Sequence, residues 1–412
     1  MELYTLVEKA NKKELIASTG CKLHEYEGNV LIKYPHGVTL DDEEGGWLKY
    51  CRGAVYTTEG EVVNVPPVRF KEGEPENKEG FTIQEYLDGT MMNVWFNKKW
   101  YISTRSKIGA LCKWHTDKTF RHMFLDIVDE KNGNFDILDE TRSYSFVMLH
   151  TDNRIVQKYN KNRIVLASIF NKETKEYETP KDFYNTLTDT YDPWFSLPAE
   201  YASVDMKKEN VVHHAGYVYC NGNEKYKVLH PKYNDVKKLN GDSHSSLFNY
   251  VENRRNGRLP EYLKYFPENR RVYNHMKYKI HDLTQLIYDT YGLVFKEKQY
   301  KLKDIPFSLK PLVYELHGMY LETKKAIGFT DVMGYINNLP SARLVFVISK
   351  ITKDIEDHVK KQGDDIDKLS ECMDKLDMDK VEELFKNIKG DEDITEFLNK
   401  KVSELSDEIV EP

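Results

Sequence analysis

The hydrophobic period of this chain changes once, near residue 245, and that change limits the fold more than any other feature. Before it the pattern is one of strands. Gly53 to Val65 reads as a hairpin, with Ala-Val-Tyr and Val-Val-Asn-Val on either side of Glu59-Gly60. Thr90 to Ser103 reads as a second, turning at Asn97-Lys98, and Tyr217 to Val228 as a third, folded about Asn221-Gly222. After residue 245 the apolar residues keep helical time. Met276, Ile280, Leu283 and Ile287 step by four, three and four, and Ile351, Ile355 and Val359 do the same after Pro340-Ser341, a helix start. The sequence therefore predicts an α+β chain, antiparallel sheets first and helices second.

With 412 residues there is room for two or three domains, and we place them at 1–245, 246–361 and 362–412. The last is set apart by charge. Residues 363–412 hold 17 Asp/Glu against 7 Lys, so a formal −7 overall hides a body near +3 and an end of −10. Within that end Leu369, Met373, Leu376, Leu384 and Phe385 mark an amphipathic helix or a loosely attached tail. A Lys/Arg-rich body suits a nucleic-acid partner without requiring one. The five cysteines lie far apart with no CxxC pair, which argues for reduced thiols and against a zinc ribbon. His213-His214 is a poor metal pair, because neighbours in a strand face opposite ways. The densest apolar run, Leu344 to Ile348, is too short to span a bilayer, and no signal peptide opens the chain. The expectation is a cytoplasmic protein (host cytoplasm if the source is viral), with no membrane partner.

Seven segments, in order over roughly residues 40–240, resemble the RNA ligase 1 family of bacteriophages, a branch of the covalent nucleotidyltransferases. They are Cys51-Arg52-Gly53-Ala54-Val55, Val65-Pro66-Pro67-Val68-Arg69-Phe70, Tyr86-Leu87-Asp88-Gly89-Thr90, Ser103-Thr104-Arg105-Ser106, Asn153-Arg154-Ile155-Val156, Ala215-Gly216-Tyr217-Val218 and Tyr226-Lys227-Val228-Leu229. The resemblance implies a nucleotidyltransferase (ATP-grasp-like ligase) domain followed by an all-helical domain. In that family a lysine amine attacks the α-phosphorus of ATP and releases pyrophosphate. The AMP then passes to an RNA 5′-phosphate, and carboxylates hold divalent metal.

The departures fall on the catalytic positions. Tyr86 stands where the family has its nucleophilic lysine, Val147 where it has a metal-binding glutamate, Ala215 for the glutamate of Glu-Gly, and Leu229 for the second lysine of the last motif. Residues suited to phosphate remain: Arg52, Arg69, Arg105 and Lys227, with Asp88 and Gly89 beside the missing nucleophile. The resemblance thus implies a degenerate ligase with no catalytic residues and no metal ligands. It would bind ATP, another nucleotide or a phosphorylated RNA or tRNA end, and magnesium enters only if activity survives.

Plainer readings stay open. Arg52 can be a structural ion pair, Asp88-Gly89 a simple turn, Tyr86 a plug rather than a stacking ring, and Arg154 a buttress. The basic residues Arg254, Arg255, Arg258, Arg270 and Arg271 are either an RNA-binding surface or a solvated face. Two further hypotheses are a working ligase with a rebuilt site, using a displaced lysine such as Lys71, Lys78, Lys98 or Lys99, and a scaffold that recruits a protein partner through the acidic tail.

Overall fold

A computed structural model describes residues 20–34 and 48–362, apart from 115, 117, 206–209, 223, 242 and 244, with backbone only over 354–362. The expected tail lies outside the described residues. The chain divides into two compact units, Met1–Ser246 and Leu247–Pro412.

The first unit holds three sheets. β1 (Lys22–Tyr26), β2 (Asn29–Lys33), β3 (Arg52–Thr57) and β4 (Val62–Asn64) form an antiparallel meander. The second sheet has five strands: β7 (Thr90–Asn97), β8 (Lys99–Ser103), β9 (Arg142–Leu149), β10 (Arg163–Asn171) and β11 (Tyr177–Glu178), ordered β11-β10-β9-β7-β8. The third, ordered β12-β6-β13-β14-β5, uses β5 (Lys71–Glu72), β6 (Thr82–Glu85), β12 (Glu200–Tyr201), β13 (Gly216–Asn221) and β14 (Glu224–Leu229). All its pairs are antiparallel except β14 with β5. The three hairpins fall where the turn residues place them. Asn97 pairs with Lys99 across Lys98 at φ +63°, and Asn221 pairs with Glu224 beyond Gly222 at φ +56°.

β9 shows how alternation divides the core. Tyr144, Phe146 and Met148 face one way and pack with Met123, Phe124 and Ile127 of helix α1 (Phe120–Glu130) and with Trp194 and Phe195. Val147 and Leu149 face the other way and join Val165, Leu87, Tyr159 and Ala167. The strand-dominated reading passed over α1. Its apolar positions have helical spacing, and Thr119 caps it by accepting from the His122 N–H at 3.1 Å. Two further helices lie among the described residues of the unit, α2 (Pro180–Thr188) and α3 (Tyr233–Asn240).

The second unit is helical among its described residues: α4 (Ser246–Arg255), α5 (Leu259–Tyr265), α6 (Arg270–Tyr291), α7 (Lys310–Thr323), α8 (Phe329–Asn338) and α9 (Ser341–Gln362). The period-four-three residues Ile280, Leu283 and Ile287 are buried on α6, and α9 starts at Ser341 as its sequence predicts. Among the described residues no helix is long and apolar enough to cross a membrane.

Candidate functional site

Gly53 organises the charged rim of the site. It has φ +102°, and a Cβ there would sit 2.9 Å from the Cα of Arg105 and 3.0 Å from its carbonyl oxygen. Only glycine therefore lets the turn after β8 lie against β3. That close approach sets Arg52 beside Arg105. Arg52 is half-buried and donates from Nη1 to the Pro67 carbonyl at 3.4 Å. Lys33 is its Cα partner on β2.

Burial and then the nearby Arg105 and Arg69 hold the Arg52 guanidinium below its ordinary range, against the opposing pull of Tyr34 and Tyr86. Burial, Arg105 and Lys22 likewise push the Lys33 ammonium down. Among the described residues none of Lys33, Arg52, Arg69 and Arg105 forms an ion pair. Arg105 thus bears on both Arg52 and Lys33, and Arg69 on Arg52, with no carboxylate paired to any of the four among the described residues, an arrangement suited to an anion. Arg69 and Arg105 are exposed, so the cluster is open to solvent.

Tyr86 lies inward of this rim. Its N–H donates to the Gly216 carbonyl at 3.0 Å, and its ring meets Tyr233 edge-on with centroids 5.8 Å apart. Tyr233 donates its hydroxyl to Oδ1 of Asp88 at 2.5 Å. Oδ2 of Asp88 accepts from the N–H groups of Val156 (2.9 Å) and Gln157 (2.7 Å), and its carbonyl accepts from the Tyr159 hydroxyl at 3.3 Å. Asp88 thus ties three segments together and spends its carboxylate on the protein, where the sequence placed it in the ligand shell.

Burial raises the Asp88 carboxyl, opposed by Tyr233 and by the Gln157 and Val156 N–H groups. Burial, followed by the Asp88 charge, raises the Tyr86 phenol above its ordinary range. Gly89 is confined too. A Cβ on it would run into the Met148 carbonyl and the Leu149 and Val147 side chains.

Of the other positions where the sequence departs from the family pattern, Val147 and Ala215 are buried and Leu229 is half-buried. Val147 belongs to the apolar cluster between Leu149 and Val165. Ala215 is buried, and its carbonyl accepts from the His230 N–H at 2.9 Å. Leu229 is the strand partner of Gly216. Lys227 is largely buried and pairs with Glu72 at 2.8 Å. Arg154 donates from Nε to the Val156 carbonyl at 3.0 Å and Asn153 to Thr90 at 2.8 Å, both as buttresses of the Asp88 loop. Lys71, Lys78 and Lys99 pair with Glu224, Glu74 and Glu27, and Lys98 occupies a hairpin turn.

Among the described residues no three His, Cys, Asp or Glu side chains are grouped to hold a metal. The donor set around Tyr86 does not fit a divalent cation, since Val147 and Ala215 offer no oxygen and Asp88 is engaged. His213 and His214 sit in a turn rather than a strand, because both their N–H groups bond to the Asn210 carbonyl at 2.8 Å.

In the helical unit Arg255, Arg270 and Arg271 are exposed, whereas Arg254 and Arg258 are half-buried. Arg270 and Arg271 open α6, where the positive end of the helix dipole disfavours cations, so helix stability does not explain them. Lys33, Tyr34, Glu72 and Tyr233 escaped the sequence reading. None lies in a motif, and only the pairing of β2 with β3 and the packing of α3 bring them in.

No family model matches the chain. An RNA ligase of Rhodothermus phage RM378 is 30% identical over 97 residues, a stretch covering 21% of this chain and 22% of the phage protein, about a fifth of its length. Among solved structures, an archaeal ATP-dependent RNA ligase aligns with 66% of this chain and 73% of its own at 12% identity and a TM-score of 0.39. An ATP-dependent DNA ligase from Aquifex aeolicus aligns with 85% of this chain and 80% of its own, at 11% identity and a TM-score of 0.35. The RNA ligase of Naegleria gruberi with pyrophosphate aligns with 39% of this chain and 53% of its own, at 14% identity and a TM-score of 0.29.

Proposed function

We propose that the first unit is a ligase-like nucleotidyltransferase pocket that keeps phosphate binding and has lost covalent nucleotide transfer. Its ligand is a nucleotide or a phosphorylated RNA end, held through Arg52, Arg69, Arg105 and Lys33, with Lys227 released from Glu72 as a further donor. One observation carries the reading: Arg52 and Lys33 are both pressed by Arg105, Arg52 also by Arg69, and none of the four has a carboxylate partner among the described residues. A phosphate monoester at the rim supplies the missing charge through charge-assisted hydrogen bonds. The stretch similar to a phage RNA ligase supports RNA over other phosphate carriers. On the helical unit, Arg255, Arg270 and Arg271, with Arg254 and Arg258, are a separate surface suited to the phosphates of an RNA backbone. Masking an RNA break, in tRNA among others, and sequestering a nucleotide are both uses of such a pocket.

One observation favours a rebuilt enzyme. Burial pushes the Lys225 amine down, and its Nζ donates to the Ala167 carbonyl at 3.2 Å, beside a bulge in β10. Lys225 pairs with Cys220, however, four residues along β13 from Gly216, whose carbonyl holds Tyr86. The amine lies 5.9 Å from the centroid of the Phe70 ring and lines one cavity with Arg69, so it adjoins the outer edge of the rim rather than Tyr86. The test is thermal melting with ATP and with a 5′-phosphorylated oligonucleotide. Ligand at 100 times its Kd stabilises by about 2.7 kcal/mol, a shift that Arg52→Ala and Arg105→Ala remove. Unchanged binding by both variants refutes the assignment.

A further inference from the structure

Lys225 lines a cavity of about 90 Å³ together with Arg69, Phe70, Ser168 and Tyr177. That volume is the share of about three water molecules, enough for a small group and too little for a nucleotide.

The lysine is short of partners there. An ammonium has three N–H donors, yet among the described residues Lys225 Nζ has one acceptor, the Ala167 carbonyl at 3.2 Å. Ala167 is the bulged residue of β10, between Leu166 and Ser168, so its carbonyl is spared the ladder and left to Nζ. No carboxylate answers the charge. Glu224 also lines the cavity, but Lys71 holds it at 2.9 Å and the Tyr226 hydroxyl at 2.8 Å. Burial accordingly pushes the amine down, against the pull of Cys220. The neutral form carries a nucleophilic lone pair.

One modification fits the donor count. A carbamate nitrogen keeps a single N–H, which the Ala167 carbonyl matches, and adds a three-atom carboxylate for which the cavity has room. Donors for that carboxylate line the same cavity. The buried Ser168 hydroxyl makes no hydrogen bond among the described residues, and the exposed Arg69 forms no ion pair among them.

We propose that Lys225 is a carbamylation site, where carbon dioxide adds to the amine and Ser168 and Arg69 hold the product. The Nζ lone pair bonds to the carbon of CO2 while one C=O pair moves onto oxygen. Nζ then gives one proton to water, leaving one N–H and a carboxylate. The adduct places an anion in a cavity that Arg69 shares with the rim, so it competes there with phosphate. That competition rests on the function proposed above, whereas the adduct does not.

Equilibration of the full chain with carbon-13-labelled bicarbonate, trapping with triethyloxonium and peptide mapping test this. Ethyl carbamate is expected on Lys225 at about fivefold or more the level on any other lysine. It should vanish in Lys225→Arg, fall in Ser168→Ala and lose its selectivity in urea. Lys172 is the internal control. Burial pushes its amine down too, and it donates to the Phe96 carbonyl at 2.9 Å, but it does not line this cavity. Equal label on Lys172 assigns the reactivity to burial alone and overturns the proposal. So do label spread evenly over exposed lysines, an unlabelled Lys225, and an acyl group already present on Lys225 in the isolated protein. A chain that binds no phosphate still carries the label, so the adduct and the phosphate site fail separately.

Discussion

The inner and outer halves of the candidate site are built on opposite principles. Inward, Asp88 satisfies two backbone N–H groups and the Tyr233 hydroxyl, the Tyr86 ring packs edge-on against Tyr233, and Val147 and Ala215 are packed as core. Outward, Lys33, Arg52, Arg69 and Arg105 face one another with no carboxylate among the described residues. A saturated interior has nothing left to give a substrate. A rim of unneutralised charge costs stability that only a ligand recovers. The comparison separates what the fold needs from what is kept for binding.

Replacing residues in each half should sharpen that division. The largest effect is expected for Asp88→Ala, which strands three buried donors and should cost about 4 kcal/mol in urea unfolding. A loss under about 1 kcal/mol would remove the inner lock from the account. Gly53→Ala comes next. Strain at φ +102° and collision with the Arg105 backbone should cost about 2 kcal/mol and also weaken phosphate binding, because the two arginines are pushed apart.

Arg105→Ala reverses the pattern, with affinity for a 5′-phosphorylated oligonucleotide falling about tenfold, or about 1.4 kcal/mol. Melting without ligand should stay the same or rise slightly, as one repelling cation is gone. If stability falls instead, Arg105 has a structural partner. Tyr86→Phe removes a half-buried hydroxyl and keeps the ring against Tyr233, so stability should change by less than about 1 kcal/mol and binding not at all.

The smallest effect lies in the helical unit. Arg343, by hydrogen bond, holds the Glu315 carboxyl below its ordinary value. The stabilisation is therefore complete above the unfolded pKa of about 4.3 and is lost as pH falls through the depressed folded value. Arg343→Gln should flatten that acid limb in pH-dependent melting of the full chain.

What could be read from the sequence follows the range of the forces involved. Hairpins and the period change near residue 245 are local signals, and the turn residues at Lys98 and Gly222 carry them directly. Arg52 and Arg105 were legible as a pair of motifs, though their adjacency needs the Gly53 contact. The role of Asp88 was not legible. Its donors Val156, Gln157 and Tyr233 lie 68, 69 and 145 residues away, and no spacing rule reaches that far. Lys33 joins the rim through strand pairing alone, and Lys227 acquires Glu72 because β5 runs parallel to β14. The side-chain types were visible, whereas their division into engaged and unengaged groups came from the tertiary structure.

The most direct measurement is incubation of the full chain with α-phosphate-labelled ATP and magnesium, followed by denaturing electrophoresis beside an active RNA ligase. The account predicts no labelled band for this chain and a strong one for the control. A labelled band that survives denaturation would show a covalent nucleotide adduct and contradict the central claim.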